Sequence, residues 1–423
     1  MDSSASVVGR HDTLPRSRRV AGFSLRELWR YTGPAFLVSV GYIDPGNWGT
    51  DIEGGARFGY RLLWVILLSN LMAIFLQSLA AKLGIASGRT LAETCRDHLP
   101  RPAALGLWAT TEVAVIATDL AELLGGALGF ALLFNLQLWV GALLTGLLVI
   151  VTLNLYRYGV RVVEYVVATY IAVIGLSYLY QVCLASPDWG AVAAHMLIPR
   201  LDAKSVLVAV GILGATVMPH NLFLHSGLVL SRRKAQDPTQ NRTLYRAAIL
   251  DSVFALNLAW LVNSAILIMS AAVFHTNNLA VASIEEAHRT LGPLLGGVAG
   301  LAFAVALLCS GLSSSTCGTL AGQMVLEGFL RIRMPLWLRR LITMVPALAV
   351  IATGVDPLKA LVLSQVVLSL QLPCTVLPLI VFTGRKAIMG EFQNGPATRI
   401  VAYAIATLII VLNSVLLALT FAG

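Results

Sequence analysis

Two short stretches bring residues that can bind a cation into long apolar runs: residues 41–49, GYIDPGNWG, and residues 214–225, GATVMPHNLFLH. Asp44 and Asn47 supply side-chain oxygens in the first stretch, and Met218 supplies a thioether sulfur in the second. The proline in each stretch removes a backbone donor, so each stretch predicts a broken helix. At membrane depth such a break is tolerated only where it is buried in protein or lines a cavity. Two breaks with polar residues therefore predict a substrate site between them.

The chemistry of these residues favours a transition-metal ion. A carboxylate at Asp44 is costly inside an apolar span unless it meets a cation or water, although it can also cap the second half-helix. Met218 on its own would be packing material, but beside a break and opposite Asp44 and Asn47 it is a candidate soft ligand. Sulfur favours Mn²⁺, Fe²⁺, Co²⁺ or Cd²⁺ over Mg²⁺ and Ca²⁺. The break also frees backbone carbonyls, of which that of Ala215 lies one turn before Pro219.

Two histidines follow the second proline. His220 could bind metal, but an imidazole beside a metal site also suits proton handling or gating near neutral pH, which we favour. His225 is either a second residue of the proton route or a histidine with its hydrogen bonds satisfied in the core. Gln77, Asn263 and Gln365 are single polar residues in apolar runs, where hydrogen bonds between helices are the default. Gln365 could still reach the substrate in one conformation.

Glu112, Asp119 and Glu122 lie on one face of a single predicted helix, because they are spaced by seven and three residues. Three carboxylates on an apolar helix must face a polar interior and be protonated or paired. Arg339 and Arg340 are the natural partners. The arrangement is either a static network of ion pairs or a proton relay from the first break to the cytoplasm. We favour the relay because static pairs rarely offset the cost of burial in lipid.

The elements that carry these residues are predicted to be transmembrane helices. Hydrophobic residues make up 57% of the 423 and charged residues 12%, which indicates an all-α polytopic membrane protein. The net charge of +9 lies in short loops, so it predicts orientation and not binding to nucleic acid. Eleven apolar spans are predicted, at 33–56, 62–84, 104–133, 138–155, 162–184, 205–230, 244–274, 293–327, 336–353, 357–383 and 399–420.

Positive charge predicts the orientation of these spans. Of the 30 Lys and Arg residues, 24 fall on the N-terminal side and 6 on the other, so the N-terminus is predicted to be cytoplasmic and the C-terminus extracytoplasmic. Residues 1–32 form a polar cytoplasmic tail without a signal peptide, in which Phe23 to Tyr31 could form an interfacial helix. The five cysteines are scattered and predict neither disulfides nor a zinc site. HExxH and Walker motifs are also missing from the sequence, which argues against an enzyme and an ATP-driven pump.

The span order predicts an internal repeat. Five spans per unit put the breaks in spans 1 and 6 at equivalent positions, and an odd number inverts the second unit. The transporter core is then residues 33–384, with repeat one at 33–184 and repeat two at 205–384. Residues 385–423 add one transmembrane helix at the C-terminal end.

The sequence resembles the Nramp family of proton-coupled divalent-metal transporters over nearly the whole chain after the tail. Five stretches carry the resemblance: DPGNW (44–48), GIASGRTL (84–91), ATDLAE (117–122), GATVMPHNLFLHS (214–226) and LWLRRLITMVPA (336–347). Two small departures are Gly49, where alanine is common, and Gly227, and neither touches a ligand position.

This resemblance implies a leucine-transporter-like 5+5 inverted repeat with helices 1 and 6 broken. It implies metal ligands at Asp44, Asn47, Met218 and the Ala215 carbonyl, with Gln365 joining in some states. It also implies a proton route that runs through the following residues: His220, Asp119, Glu122, Arg339 and Arg340.

We expect a bacterial inner (plasma) membrane importer of Mn²⁺, and also of Fe²⁺, Co²⁺ or Cd²⁺, that is coupled to protons and works by alternating access. The metal is then transported substrate, with no permanent cofactor and no obligate protein partner. The alternative is a sodium-coupled organic-solute symporter on the same scaffold. It is disfavoured because Met and Asp at facing breaks suit a bare cation better than an amino-acid carboxylate.

Overall fold

The computed structural model of the protein describes residues 33–158, 160–233, 238–279, 281 and 283–422. The predicted tail, with its interfacial helix at Phe23 to Tyr31, lies outside these residues. Every α-helix in the described part of the chain is numbered here in order: α1 Pro34–Gly41, α2 Pro45–Phe58, α3 Leu63–Ser87, α4 Leu91–His98, α5 Arg101–Phe134, α6 Leu138–Asn154, α7 Val160–Ala185, α8 Trp189–Leu197, α9 Val206–Val217, α10 Pro219–Leu228, α11 Pro238–Ser270, α12 Ile284–Leu295, α13 Gly297–Leu330, α14 Leu336–Ala352, α15 Pro357–Thr383, α16 Lys386–Met389 and α17 Pro396–Ala422.

The architecture is that of an all-helical membrane protein, as the composition predicts. Eight helical stretches in the described chain are long and apolar enough to cross a membrane, and α6 is a shorter apolar helix. Each of the eleven predicted spans coincides with helix, whereas the count of eleven crossings stays a prediction. The predicted start of span 8 at residue 293 is wrong, because residues 293–295 belong to the separate helix α12. Gly296, with φ of 96°, ends that helix before α13 begins.

The first predicted break separates α1 from α2. Tyr42 and Ile43 close the last turn of α1 by donating to carbonyls three residues back, both at 3.0 Å. Asp44 has extended backbone and caps α2 by accepting from the Asn47 backbone N–H at 2.9 Å. Pro45 is the first residue of α2, where its missing N–H leaves no hydrogen bond unmade. The break thus follows directly from the Asp-Pro-Gly sequence.

The second predicted break separates α9 from α10 at Met218. This residue has φ of 31°, an uncommon value for a residue with a side chain. Its backbone N–H still donates to Gly214 O at 3.3 Å, and its carbonyl accepts from Asn221 N at 3.2 Å. Pro219 then begins α10. Both breaks predicted from the prolines are therefore confirmed.

Helix α15 lies against both broken helices because glycines remove the side chains between them. An added Cβ at Gly49 of α2 would be 2.8 Å from Leu361 Cβ. An added Cβ at Gly214 of α9 would be 2.7 Å from the Ser369 backbone N. Gln365 lies on α15 between these two contacts, so the packing brings it to the level of the breaks.

Candidate metal site

Asp44 and Asn47 form one hydrogen-bonded unit at the first break. Asp44 Oδ1 accepts from the Asn47 backbone N–H at 2.9 Å and from Asn47 Nδ2 at 2.7 Å. Asn47 Nδ2 also lies 3.1 Å from Tyr42 O. Both side chains are fully buried. The cap predicted as an alternative role for Asp44 is thus present, and it uses only one of the two carboxylate oxygens.

The two breaks lie next to each other. Asn47 Nδ2 is 3.2 Å from Ala215 O, a carbonyl in the last turn of α9. Gly41 is the last residue of α1, and Met218 Sδ lies 3.4 Å from the point where a Cβ on Gly41 would be. Carbonyl and sulfur from the second break therefore face the end of the first half-helix and the Asp44–Asn47 unit.

Gln365 reaches the first break from α15. An added Cβ on Gly46 would collide with Gln365 Nε2 and would lie 2.9 Å from Asp44 Oδ2. The side chains of Gln365 and Asp44 thus lie in the space that a side chain at position 46 would fill. Gln365 is fully buried and donates to Ser364 Oγ at 3.2 Å.

Three buried side-chain oxygens at the first break are available for a ligand. Asp44 Oδ2, Asn47 Oδ1 and Gln365 Oε1 make no hydrogen bond with any residue that the structure describes. Unpaired acceptors of this kind are rare in proteins unless water or an ion satisfies them. The described residues hold no cluster of three or more His, Cys, Asp or Glu side chains suited to a metal. A metal would therefore be held by one carboxylate with neutral oxygens and sulfur.

Asn221 is a site residue that the sequence reasoning missed. Its Nδ2 donates to Met218 Sδ at 3.3 Å, and the same nitrogen lies against Gly41. The signal that could have found it is its position three residues after Met218, on the same face of α10. Asn263 was expected to bond between helices, and it does so by donating to Tyr42 O at 2.8 Å.

The carboxylates of α5 meet the arginines of α14 as their spacing predicts. Arg340 donates to Asp119 Oδ1 at 2.9 Å and to Ser315 Oγ at 3.1 Å, and all three residues are buried. Arg339 lies 2.5 Å from Glu112 Oε1. The pairing itself is compatible with either the static network or the relay.

Glu122 and His220 extend this polar strip toward the breaks. Glu122 is buried against α13, where a Cβ on Gly318 would lie 2.7 and 2.9 Å from its two carboxylate oxygens. His220 Nδ1 is 3.4 Å from Thr118 Oγ1, and Thr118 is the neighbour of Asp119 in the chain. Buried polar groups thus continue from α10 through α5 to α14.

His225 belongs to a second polar contact. Its Nδ1 lies 2.9 Å from Gln77 Oε1, and Gln77 Nε2 donates to the Tyr42 hydroxyl at 2.7 Å. Gln77 therefore makes the contacts between helices that its position predicted. His225 Nε2 is buried without a hydrogen bond to the described residues, so the choice between a core role and a proton role stays open.

Comparisons with known proteins give a consistent match. The Nramp profile, described as natural resistance-associated macrophage protein-like, matches residues 35–419. The divalent metal cation transporter MntH of Caldanaerobacter subterraneus subsp. tengcongensis is 47% identical over 409 residues, which cover 96% of this chain and 97% of that protein.

Solved structures extend the match to the fold. The manganese transporter of Eremococcus coleocola superposes with a TM-score of 0.84 at 36% identity, covering 95% of this chain and 89% of that one. Mhp1, a nucleobase-cation-symport-1 family transporter, superposes with a TM-score of 0.60 at 13% identity, covering 92% and 93%. The second likeness is one of fold alone.

Proposed function

Because the chain belongs to the Nramp family, we propose that it is a secondary active importer of divalent transition-metal ions, with Mn²⁺ as the main cargo and Fe²⁺, Co²⁺ and Cd²⁺ also accepted. It works in the bacterial inner membrane with its N-terminus in the cytoplasm. One relative is named a divalent metal cation transporter and another a manganese transporter, which supports this cargo.

One observation carries the proposal: the buried oxygens of Asp44, Asn47 and Gln365 that no described residue satisfies, with the sulfur of Met218 at the adjoining break. Oxygen with a single sulfur matches an ion of intermediate softness, whereas Mg²⁺ and Ca²⁺ prefer shells of oxygen alone. In the loaded state the ion is held by Asp44, Asn47, Met218 and the Ala215 carbonyl, and Gln365 joins in some states.

Transport proceeds by alternating access. The two broken helices, α1–α2 and α9–α10, rock against a scaffold that includes α5 and α13. Metal binding releases a proton, because a carboxylate must be ionised to bind the ion. The proton leaves along His220, Asp119 and Glu122 toward the arginines of α14, and His225 and Glu112 flank that route.

Replacing Asp44 tests the site. Asp44→Ala should abolish Mn²⁺ uptake into proteoliposomes, because it removes the charged ligand. Glu53→Gln is the matched control, since Glu53 lies on the same helix in an ion pair with the exposed Arg57 and its replacement should leave uptake intact. Near-normal uptake by Asp44→Ala would end the assignment.

A calorimetric titration separates the proposal from a sodium-coupled organic-solute symporter. The purified protein should release heat on addition of Mn²⁺ and none on addition of leucine in sodium buffer. Binding of leucine without binding of Mn²⁺ would favour the symporter.

A further inference from the structure

A second group of buried polar atoms lies where α2 meets α7, outside the proposed metal site. Asp51 is 1% exposed, and Tyr178 and Gln181 are fully buried. Asp51 Oδ2, the Tyr178 hydroxyl and Gln181 Oε1 make no hydrogen bond within the described part of the chain. Unsatisfied buried oxygens of this kind call for an ion or water.

An aromatic contact places α2 against α7 next to this group. The rings of Trp48 and Tyr178 meet edge to face with their centroids 4.9 Å apart, and Phe303 packs on Trp48 at 5.4 Å. Asp51 follows Trp48 by three residues on α2, and Gln181 follows Tyr178 by three residues on α7. Spans 1 and 5 run in the same direction in the proposed topology. One turn beyond the aromatic contact, Asp51 and Gln181 therefore come to the same level.

The charge of this group favours a cation. Glu112 and Asp119 are paired with arginines, whereas Asp51 has no ion-pair partner among the residues that the structure describes. Tyr178 and Gln181 can offer the Asp51 carboxylate only neutral groups. A buried carboxylate in an apolar span is expensive unless a cation accompanies it.

We propose that Asp51, Gln181 and the Tyr178 hydroxyl form a second, outer cation site that an incoming divalent ion occupies before it reaches the inner site. Asp51 follows Asp44 by seven residues, which is about 10 Å along a helix. The outer group contains only oxygen, so it accepts Mg²⁺ and Ca²⁺ as readily as Mn²⁺, and selection by sulfur follows at the inner site. This inference rests on the proposed function, because it supplies the ion to that site.

Mn²⁺ binding to the purified full chain, measured by calorimetric titration, tests the outer site. The wild-type protein should show two binding events. Asp44→Ala should keep one of them, and Ca²⁺ should compete for it. Asp44→Ala combined with Asp51→Asn should bind no Mn²⁺. Adding Gln181→Leu to Asp44→Ala should lower the Mn²⁺ affinity of the remaining event about tenfold or more. Substitutions around metal ligands typically produce a loss of that size.

The control is Glu53→Gln in the Asp44→Ala background, which changes a carboxylate on the same helix outside the group and should leave the remaining event unchanged. The proposal is overturned if Asp44→Ala binds no Mn²⁺, or if neither Asp51→Asn nor Gln181→Leu weakens what it binds. These outcomes are independent of the proposed function, which fails instead if Asp44→Ala still takes up Mn²⁺ into proteoliposomes.

Discussion

Met218 supplies the sulfur of the proposed site, and its thioether should decide which ions are accepted. We expect Met218→Ala to retain Mn²⁺ uptake and to gain Mg²⁺ or Ca²⁺ uptake, because the remaining ligands are all oxygen. Uptake of each ion into proteoliposomes measures the change. Met324→Ala is the matched control. Met324 belongs to α13 and packs against Gly227, near the end of α10 and away from the break at Met218. Unchanged selectivity in Met218→Ala would make the sulfur a packing group.

Asp119 tests the choice between a proton relay and a static ion pair. Asp119→Asn keeps the shape of the side chain but removes the charge that faces Arg340 at 2.9 Å. If Asp119 relays protons, metal-driven proton flux should fall by much more than Mn²⁺ flux. Breaking a buried pair can also cost about 3–5 kcal/mol of stability, so thermal unfolding must be measured alongside both fluxes. Equal loss of both fluxes would favour the static network.

Single residues of the site could be predicted from sequence, but their contacts could not. The Asp-Pro-Gly and Met-Pro sequences identify the breaks because proline acts locally. The hydrogen bond from Asn221 to Met218 and the approach of Gln365 to Gly46 depend on rotamers and on packing between distant helices. No local pattern encodes those contacts, and the spacing of Asn221 three residues after Met218 indicates only that the two residues share a helix face.

At the scale of helices, alanine substitutions at two glycines should distinguish an effect on metal binding from an effect on helix packing. Gly46→Ala places a methyl group against the ends of Gln365 and Asp44, which are flexible side chains that can move aside. We expect Mn²⁺ affinity to fall while the unfolding temperature changes little. Gly214→Ala instead meets the backbone of α15, which cannot yield, so we expect it to lower the unfolding temperature.

Calorimetric titration and thermal unfolding of both glycine variants make the comparison. Equal loss of stability in the two would mean that the region around Gly46 is as rigid as the contact between α9 and α15.

Long apolar helices were predicted well and short amphipathic ones were missed. The search for apolar runs passed over α4 and α12, which lie between spans. Their capping sequences are visible nonetheless: Thr90 caps α4 through the backbone N–H of Glu93, and Ser283 caps α12 through that of Glu286. The Ser/Thr-x-x-Glu pattern marks a helix start without apolar periodicity. The start of span 8 past residue 293 is set instead by Gly296, which ends α12 before α13 begins.

For the molecule as a whole, metal binding should raise the free energy of unfolding. A ligand that binds only the folded state stabilises it by about 2.7 kcal/mol when its concentration is 100 times the dissociation constant. We expect saturating Mn²⁺ to raise the unfolding temperature of the wild-type protein in detergent and to raise it less in Asp44→Ala. Glu53→Gln should respond as the wild type does. An equal rise in Asp44→Ala would mean that the stabilising ion binds elsewhere.

The orientation of the chain is the prediction that belongs to the whole molecule, because it depends on all of its loops together. With 24 basic residues on the N-terminal side and 6 on the other, the N-terminal side is predicted to be the cytoplasmic face. Eleven crossings then put the C-terminus on the opposite face. A protease-cleavable tag at the C-terminus should be cut in intact spheroplasts, whereas the same tag at the N-terminus should be cut only after lysis. A soluble cytoplasmic protein that stays uncut shows that the spheroplasts are sealed. Protection of both tags would mean an even number of crossings, and the spans formed by single helices of only 17 residues, α6 and α14, would be the first candidates for not crossing.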